Sequence, residues 1–285
     1  MRLLIITILL FTSFTLQAKI NFDKLFKVKK PVIAAIMLDG NYETARGKQK
    51  ILDFALKQLQ ICEEENVNAA LYEFRGGGIG TPQISKKKFD GMIDIMKKII
   101  GRSKNVVIGV EILWHYPKKT ILLAKKSGSK FVRLDFFSDK MIAGGKKVPI
   151  NPEAIQQFRK SHNAMDIALF TDIQVKYAKM INKKTTMSQS AAKAERNGSD
   201  GLIVSGKKSG SQPSANRVKL AKDGSKKLKV IIGSGFSYTN AEELMTYADA
   251  AIVGTSISTK TGGTLVPKKV KRLMNIVRKI RSNMR

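Results

Sequence analysis

The sequence has very few residues of the kinds that build covalent cross-links or metal sites. Its 285 residues include one cysteine, Cys62, and two histidines, His115 and His162. A single cysteine forms no disulfide within the chain and no thiolate metal cluster. The two histidines lie far apart in the sequence, which disfavours a zinc site. We therefore predict neither a metal nor a cofactor.

Acidic residues are also scarce. The chain has 22 Asp and Glu against 52 Lys and Arg, which gives a formal net charge of +30. Such a charge attracts anions, nucleic acids and anionic lipid surfaces without selecting among them. No basic stripe is interleaved with aromatic residues, and this disfavours nucleic acid as the partner. The simplest interpretation is a lysine-rich, solvated surface, with an anionic membrane surface as the open alternative.

Long apolar runs are missing, apart from a short one at the N-terminus. Met1 and Arg2 precede the apolar residues 3–16, and Gln17, Ala18 and Lys19 follow. The run is shorter than the ~20 residues that span a bilayer. A positive start, an apolar core and a small residue at the cleavage point are typical of a secretory signal peptide. We predict a signal peptide at 1–18 and a secreted or periplasmic protein, with an uncleaved membrane anchor as the alternative.

From residue 19 onward, apolar strand patterns alternate with helical patterns. Eight strand–helix units follow one another in residues 19–285, and this length suits one α/β barrel. Most strands are too apolar to be exposed on one face, which is typical of a parallel sheet covered by helices. We predict a single (β/α)8 TIM barrel, with a doubly wound open sheet as the alternative. The predicted strands are 31–38, 69–74, 106–113, 131–136, 166–175, 202–205, 229–235 and 250–256.

The last two predicted strands end in glycine-containing turns. These turns are Gly233-Ser234-Gly235 and Gly254-Thr255-Ser256, and a short helix with Glu242 and Glu243 in its first turn lies between them. In (β/α)8 barrels the corresponding loops often form a phosphate site. Glycine allows the backbone to approach an anion closely, and free N–H groups at a turn supply the donors. The alternative is an ordinary strand-ending turn.

Charged residues in four consecutive strands share the parity of the barrel interior. Side chains alternate between the interior and the helix layer along each strand. The residues predicted to face the helices in strands four and five are Val132, Leu134, Phe136, Ile167, Leu169, Ile173 and Val175. The residues predicted to face the interior are Glu73, Glu111, Arg133, Asp135, Asp172, Gln174 and Lys176. They converge on the C-terminal mouth, where barrel enzymes keep their chemistry.

Buried charges are costly unless they are paired or bound to a ligand. The interior charges therefore predict either a ligand site or a structural ion-pair lattice, such as Arg133 with Glu111 and Asp172 with Lys176. In the ligand site, Lys176 is a candidate base or imine-forming amine, and Glu73 or Asp172 is a candidate proton carrier. His115, after strand three, is either an acid–base group or a loop residue packed on aromatic neighbours.

Two further segments have two interpretations each. Residues 140–149 form either a lid over the mouth or an ordinary loop after strand four. The last predicted helix, 267–281, carries an apolar face opposite a basic face. That pattern fits a membrane-surface helix, but the eighth helix of a barrel explains it with fewer assumptions.

From Phe22 onward, the chain resembles the BtpA family of ribulose-phosphate-binding-type barrels. The segments that carry the resemblance are FKVKKPVIAAI at 26–36, FVRL at 131–134, DIQVKYA at 172–178, GLIVSGKKSG at 201–210 and residues 230–256. The resemblance implies a phosphate-type barrel. In cyanobacteria it implies an extrinsic thylakoid membrane protein, and elsewhere a sugar-metabolism protein of unsettled activity.

The chain departs from the family pattern at several positions near the mouth. Residues 37–40 replace a histidine and a proline-rich turn, Phe74 replaces an asparagine, and Tyr177 replaces a histidine. Lys207 and Lys208 replace small residues. The residues that persist are Glu73, Arg133, Asp172, Lys176 and the two glycine turns. The phosphate-binding part of the site is therefore expected to be intact, and the part that would carry out a reaction is expected to be altered.

We predict that the protein binds a phosphorylated or otherwise anionic small molecule at the C-terminal mouth of the barrel. The sequence does not specify a reaction. The candidate catalytic residues are Lys176, Asp172 and Glu73. The candidate ligand-binding residues are Glu111, Arg133, Asp135, Gly206, Gly233, Ser234, Gly235, Gly254, Thr255 and Ser256. The alternatives are a non-enzymatic, membrane-associated assembly or stability factor with a basic surface, and a former enzyme that has lost its chemistry. The oligomeric state is left open.

Overall fold

The computed structural model describes residues 20–76, 83–208 and 210–284. The predicted signal peptide at 1–18 lies outside the described residues. Within the described ranges, no helix combines the length and the apolar character that crossing a membrane requires.

Eight parallel strands close into a barrel. In chain order all the strands of the described residues are β1 (Val32–Leu38), β2 (Ala69–Arg75), β3 (Val107–Leu113), β4 (Phe131–Leu134), β5 (Met141–Ala143), β6 (Lys146–Lys147), β7 (Ala168–Ile173), β8 (Ala178–Met180), β9 (Gly201–Val204), β10 (Lys229–Ile232) and β11 (Ala250–Val253). Three of these strands, β5, β6 and β8, lie outside the barrel. The barrel order is β1-β11-β10-β9-β7-β4-β3-β2. This order confirms the predicted (β/α)8 TIM barrel and excludes the open sheet. Several strands end earlier than predicted, because the chain turns into the mouth loops after Leu134, Ile173, Ile232 and Val253.

A helix follows each barrel strand and covers the barrel, and one more helix, α1, precedes β1. They are α1 (Phe22–Phe26), α2 (Ala45–Glu64), α3 (Lys86–Ile100), α4 (Pro117–Ser127), α5 (Pro152–Ser161), α6 (Met187–Arg196), α7 (Ala215–Gly224), α8 (Ala241–Met245) and α9 (Pro267–Ser282). Local sequence fixes many of their starts. The side chains of Thr44, Ser85 and Thr186 each accept a backbone N–H at a helix N-terminus. Helix α9 buries Leu273 and Val277, which confirms it as the closing barrel helix.

The lower half of the barrel interior is an apolar core that the sequence did not reveal. Helix α1 covers the N-terminal end, and its Phe22 and Phe26 pack on Phe131 and Phe170 from β4 and β7. Ring centroids in this group lie 4.7–6.1 Å apart, within the range of favourable aromatic pairs. Because this core fills the lower interior, only the upper half is left for polar side chains.

Strands β5, β6 and β8 form a separate three-stranded antiparallel sheet in the order β6-β5-β8. Residues 140–149 therefore form a β-hairpin that pairs with the segment after β7, and the prediction of an ordinary loop is wrong. A role as a lid stays a prediction. Phe136 and Val175 pack with Met141 and Val148 beneath this sheet. The prediction that Phe136 and Val175 face the helices is therefore wrong, because the barrel strands end before both residues. Val132, Leu134, Ile167, Leu169 and Ile173 do face the helix layer, as predicted.

Candidate functional site

Arg133 lies at the centre of the charged residues in the upper barrel. Its Nε is 2.8 Å from Oδ2 of Asp172, and its Nη2 is 3.0 Å from Oδ1. Three more carboxylates approach the same guanidinium: Glu73 at 3.6 Å, Glu111 at 3.8 Å and Asp135 at 3.9 Å. The strand parity derived from the sequence is confirmed for all five side chains.

One arginine is not enough to neutralise four neighbouring carboxylates. Glu73 and Glu111 are direct partners in the β2–β3 register, and like charges placed opposite each other are destabilising. Glu111 is buried, and its Oε2 has no hydrogen-bond partner. Burial and the neighbouring Asp135 hold the pKa of Glu111 well above its usual range. Burial also raises the pKa of Asp135 to about 6, against the opposing charge of Arg133. Burial and like charges in this cluster therefore favour the protonated forms of Glu111 and Asp135.

The ion-pair lattice predicted from the sequence is present only in part. Arg133 makes its close pair with Asp172, and the pairing with Glu111 is longer. Asp172 also accepts a hydrogen bond of 3.2 Å from Ser205 Oγ. The predicted pair between Asp172 and Lys176 is absent, since Lys176 has no carboxylate within ion-pair distance in the parts of the chain that the structure covers. Lys176 is half-buried and remains available to a ligand.

A small cavity lies beside this cluster at the C-terminal mouth. Its volume is about 100 Å³, and both predicted glycine turns line it. The turn Thr255–Ile257 is a 3-10 helix whose first hydrogen bond runs from the Ile257 N–H to the Gly254 carbonyl at 3.1 Å. The N–H groups of Thr255 and Ser256 precede that bond, so the helix itself gives them no acceptor. We call this space the anion cavity; its lining comprises Ala35, Met37, Glu73, Arg133, Lys176, Gly210, Gly233, Ser234, Gly235, Ile252, Gly254, Thr255, Thr261 and Gly262.

Several predicted catalytic or ligand-binding residues do not line the anion cavity. These are Glu111, Asp135, Asp172, Gly206 and Ser256. The three carboxylates lie around the guanidinium of Arg133. Ser256 donates its hydroxyl to the Phe236 carbonyl at 2.6 Å. The Gly206 N–H donates to Ser234 Oγ at 3.0 Å, so both groups are used in holding the loops together.

The sequence interpretation also missed residues that line the cavity. Gly210 follows β9, and Thr261 and Gly262 follow β11. Thr261 Oγ1 lies 3.1 Å from Thr255 Oγ1, which ties the loop after β11 to the glycine turn. The only sequence signal was the Thr-Gly-Gly run at 261–263, which carries no strand or helix periodicity.

Gln174 is the one residue in the predicted interior set that does not face the barrel interior. Its backbone has a φ of 47°, so the strand alternation is broken immediately after Ile173. Its amide nitrogen donates to the Thr185 carbonyl at 3.1 Å, and its Oε1 accepts from Arg217 at 3.2 Å. Gln174 therefore joins the loops outside the mouth, and it does not face the barrel interior.

Of the two roles predicted for His115, the structure supports that of a loop residue packed on an aromatic ring. Its ring lies edge-on to Phe136, with centroids 5.7 Å apart, and Nε2 is 2.6 Å from the Pro149 carbonyl. Burial lowers the pKa of His115. The residue lines a different cavity, between α4 and α5, and is not part of the anion cavity.

The arrangement can hold an anion and exchange protons with it. Lys176 and Glu73 line the same cavity, so an ammonium and a carboxylate face one ligand. Asp135 lies beside Arg133 and outside the cavity lining, and burial raises its pKa to about 6. No group of three or more His, Cys, Asp or Glu side chains is arranged to hold a metal ion within the described ranges.

The fold and these contacts define a (β/α)8 barrel with a charged site at the C-terminal mouth. The sequence matches the BtpA family over residues 28–280, and the chain belongs to that family. An uncharacterized protein of Methanocaldococcus jannaschii is 27% identical over 264 residues, which cover 89% of this chain and 97% of that protein. The photosystem I biogenesis protein BtpA of a Synechocystis strain is 27% identical over 176 residues, which cover 60% of this chain and 61% of that protein.

Solved structures with the same fold are more distant in sequence. (S)-3-O-geranylgeranylglyceryl phosphate synthase from Thermoplasma acidophilum, in complex with sn-glycerol-1-phosphate, has a TM-score of 0.56 at 15% identity and covers 90% of this chain and 96% of its own. Phosphoribosyl anthranilate isomerase from Thermus thermophilus has a TM-score of 0.55 at 13% identity and covers 88% of this chain and all of its own. At these identities the likeness supports the barrel fold alone.

Proposed function

We propose that this protein binds a phosphorylated small molecule, with the phosphate in the anion cavity. The observation that carries the proposal is the anion cavity itself, where Lys176 and Arg133 face the two terminal glycine turns. A phosphate there accepts a hydrogen bond from the N–H group of Thr255 at the second glycine turn and pairs with the Lys176 ammonium.

The rest of the ligand is expected to carry hydroxyl groups near the anion. Glu73 lines the cavity, and a carboxylate accepts hydrogen bonds from hydroxyl donors. Because the carboxylates outnumber Arg133, a second phosphate beside Arg133 is disfavoured. Two structural neighbours of the same fold are named for phosphorylated compounds, and the proposal extends that ligand class to this protein.

The proposal is tested by thermal shift and calorimetry with phosphate monoesters, and with the matching alcohols as the uncharged control. Lys176→Gln removes one charge-assisted contact, which is worth about 1.5–3 kcal/mol and corresponds to about 10- to 150-fold weaker binding. Gly254→Asp places a carboxylate in the cavity and should abolish binding. Lys183→Gln is the matched control, because Lys183 is exposed and lies outside the cavity. Equal effects of Lys176→Gln and Lys183→Gln would refute the proposed site.

A second candidate function is a non-enzymatic, membrane-associated assembly or stability factor. The net charge of +30 and the name of the Synechocystis relative favour it. A polybasic surface binds anionic vesicles in a salt-dependent manner. The full-length protein is therefore mixed with phosphatidylglycerol vesicles at low and high salt. Salt-sensitive binding without any melting-temperature shift by phosphate monoesters would support this function and contradict the first.

A further inference from the structure

The anion cavity is too small to hold a complete ligand. Ligand sites in proteins usually enclose about 300–1,000 Å³, whereas this cavity encloses about 100 Å³. The remainder of any ligand must therefore extend into a neighbouring space. Two larger cavities adjoin it. One of about 1290 Å³ shares Lys176 with it, and one of about 730 Å³ shares Met37 and Gly262.

The larger space is an open groove beside the mouth, which we call the side groove. One wall is β8 with the preceding Tyr177, and the other is formed by residues 205–208, residues 211–214 and helix α7. Since Lys176 lines both the side groove and the anion cavity, a ligand held by its ammonium reaches both spaces.

Apolar side chains are the unusual feature of the side groove. Three of its 21 lining residues are methionines, Met141, Met180 and Met187, whereas the whole chain has 11 in 285. Tyr177 and Leu220 also line it, at 62% and 38% exposure. Methionine is flexible and polarizable, and it adapts to apolar ligands of varied shape. Met141 and Met187 are buried and belong to the apolar cores, so the apolar surface that the side groove presents to solvent comes from Met180, Tyr177 and Leu220.

The charges of the side groove are less informative. Five of the 21 lining residues are Lys or Arg, compared with 52 of 285 in the chain, so basic residues are only slightly enriched. None of the described lining residues is Asp or Glu. The groove thus tolerates an anionic ligand, but its apolar lining determines the chemical class.

The second neighbouring cavity fits such a ligand less well. It contains Asp39, whose carboxylate pairs with Arg75 at 2.8 Å, and its basic residues Arg46 and Lys50 are exposed. None of the large apolar side chains that stand exposed in the described residues lines it.

We propose that the side groove binds the aliphatic part of an amphiphilic phosphate monoester, whose phosphate occupies the anion cavity. This inference rests on the proposed function and specifies its ligand class. The phosphate is held by Lys176 and the glycine turns, and the chain lies along Met180 and Leu220.

A chain-length series tests the inference. The probes are inorganic phosphate and methyl, butyl and hexyl phosphate, measured by calorimetry at about 0.15 M salt, with hexanol as the control without phosphate. Affinity is expected to rise by about two- to fourfold for each added methylene that the groove buries. Leu220→Asp and Met180→Asp should remove this gain and leave the binding of methyl phosphate unchanged. Ile181→Asp is the matched control, since Ile181 is exposed, follows Met180 and does not line the groove.

The outcomes separate this inference from the proposed function. Binding of inorganic phosphate with no dependence on chain length would overturn the inference and leave the proposed function standing. The inference also fails, and the proposed function stands, if butane-1,4-diyl bisphosphate gains affinity through its second phosphate and hexyl phosphate does not. Failure of every phosphate to bind would overturn both.

Discussion

Arg133 and Asp172 form a buried two-point ion pair across neighbouring strands, with N–O distances of 2.8 and 3.0 Å. The two side chains are 5% and 1% exposed. A pair of this geometry holds the guanidinium in one orientation, near Glu111 and at the edge of the anion cavity. The orientation of Arg133 therefore connects the stability of the upper barrel to the shape of the candidate site.

Replacement of Asp172 by Asn should destabilise the protein strongly. Breaking a buried ion pair typically costs 3–5 kcal/mol. We expect about 3 kcal/mol of lost unfolding free energy, at the lower end because Glu73 and Asp135 lie close enough to balance part of the Arg133 charge. Urea denaturation measures the change. Asp166→Asn is the matched control; it breaks an exposed pair with Lys125 and should cost less than about 0.5 kcal/mol.

Asp135 should make stability fall as the pH rises. Its pKa is raised to about 6 in the folded protein by burial, and an unfolded Asp has a pKa near 3.9. The folded state therefore binds more protons between about pH 4 and 6, and the contribution of Asp135 to stability is full below pH 4 and is lost above pH 6. The unfolding free energy of Asp135→Asn, relative to that of the wild type, should therefore rise by about 1–2 kcal/mol between pH 4 and 7. Urea denaturation at each pH measures this difference, and a difference that is constant across the range would contradict the assignment.

The sequence was sufficient to predict the barrel and the interior position of the charges, because both follow from local periodicity. Arg133 and Glu111 were assigned from strand parity alone. Gln174 was misassigned because one residue of positive φ ends the alternation. The sheet β5-β6-β8 was missed because its strands have two or three residues, and β5 and β8 lie far apart in the sequence. Thr261 and Gly262 were missed for a similar reason, since loop residues that meet only through tertiary structure leave no periodic signal.

The two glycine turns should respond differently to alanine. Gly235 has a φ of +72°, and an added Cβ would overlap the backbone of Ser211 and Gln212. At Gly254 the nearest atom to an added Cβ is 3.6 Å away, on Ala35. We expect Gly235→Ala to cost about 1–3 kcal/mol of unfolding free energy, and Gly254→Ala to cost less than about 1 kcal/mol. Thermal and urea unfolding compare the two variants, and equal losses would contradict the close loop packing at Gly235.

Gly109 in β3 makes room for an aromatic ring of the lower core. An added Cβ would overlap the ring of Phe131, which packs against Phe170 with centroids 5.4 Å apart. Gly109→Ala should therefore cost about 1–3 kcal/mol through overpacking. Gly101→Ala is the control, because the nearest atom there is 3.4 Å away and its φ is −64°; it should change stability by less than about 0.5 kcal/mol.

The double variant Gly109→Ala/Phe131→Leu tests whether the ring causes that cost. Leucine occupies less space than phenylalanine, so it relieves the overlap with the new methyl group. Residues in direct contact show coupling energies of about 0.5–3 kcal/mol. The double variant should therefore lose at least about 1 kcal/mol less than the sum of the two single variants, measured by urea denaturation. Strict additivity would show that the loss at Gly109 has another origin, such as strain in β3 itself.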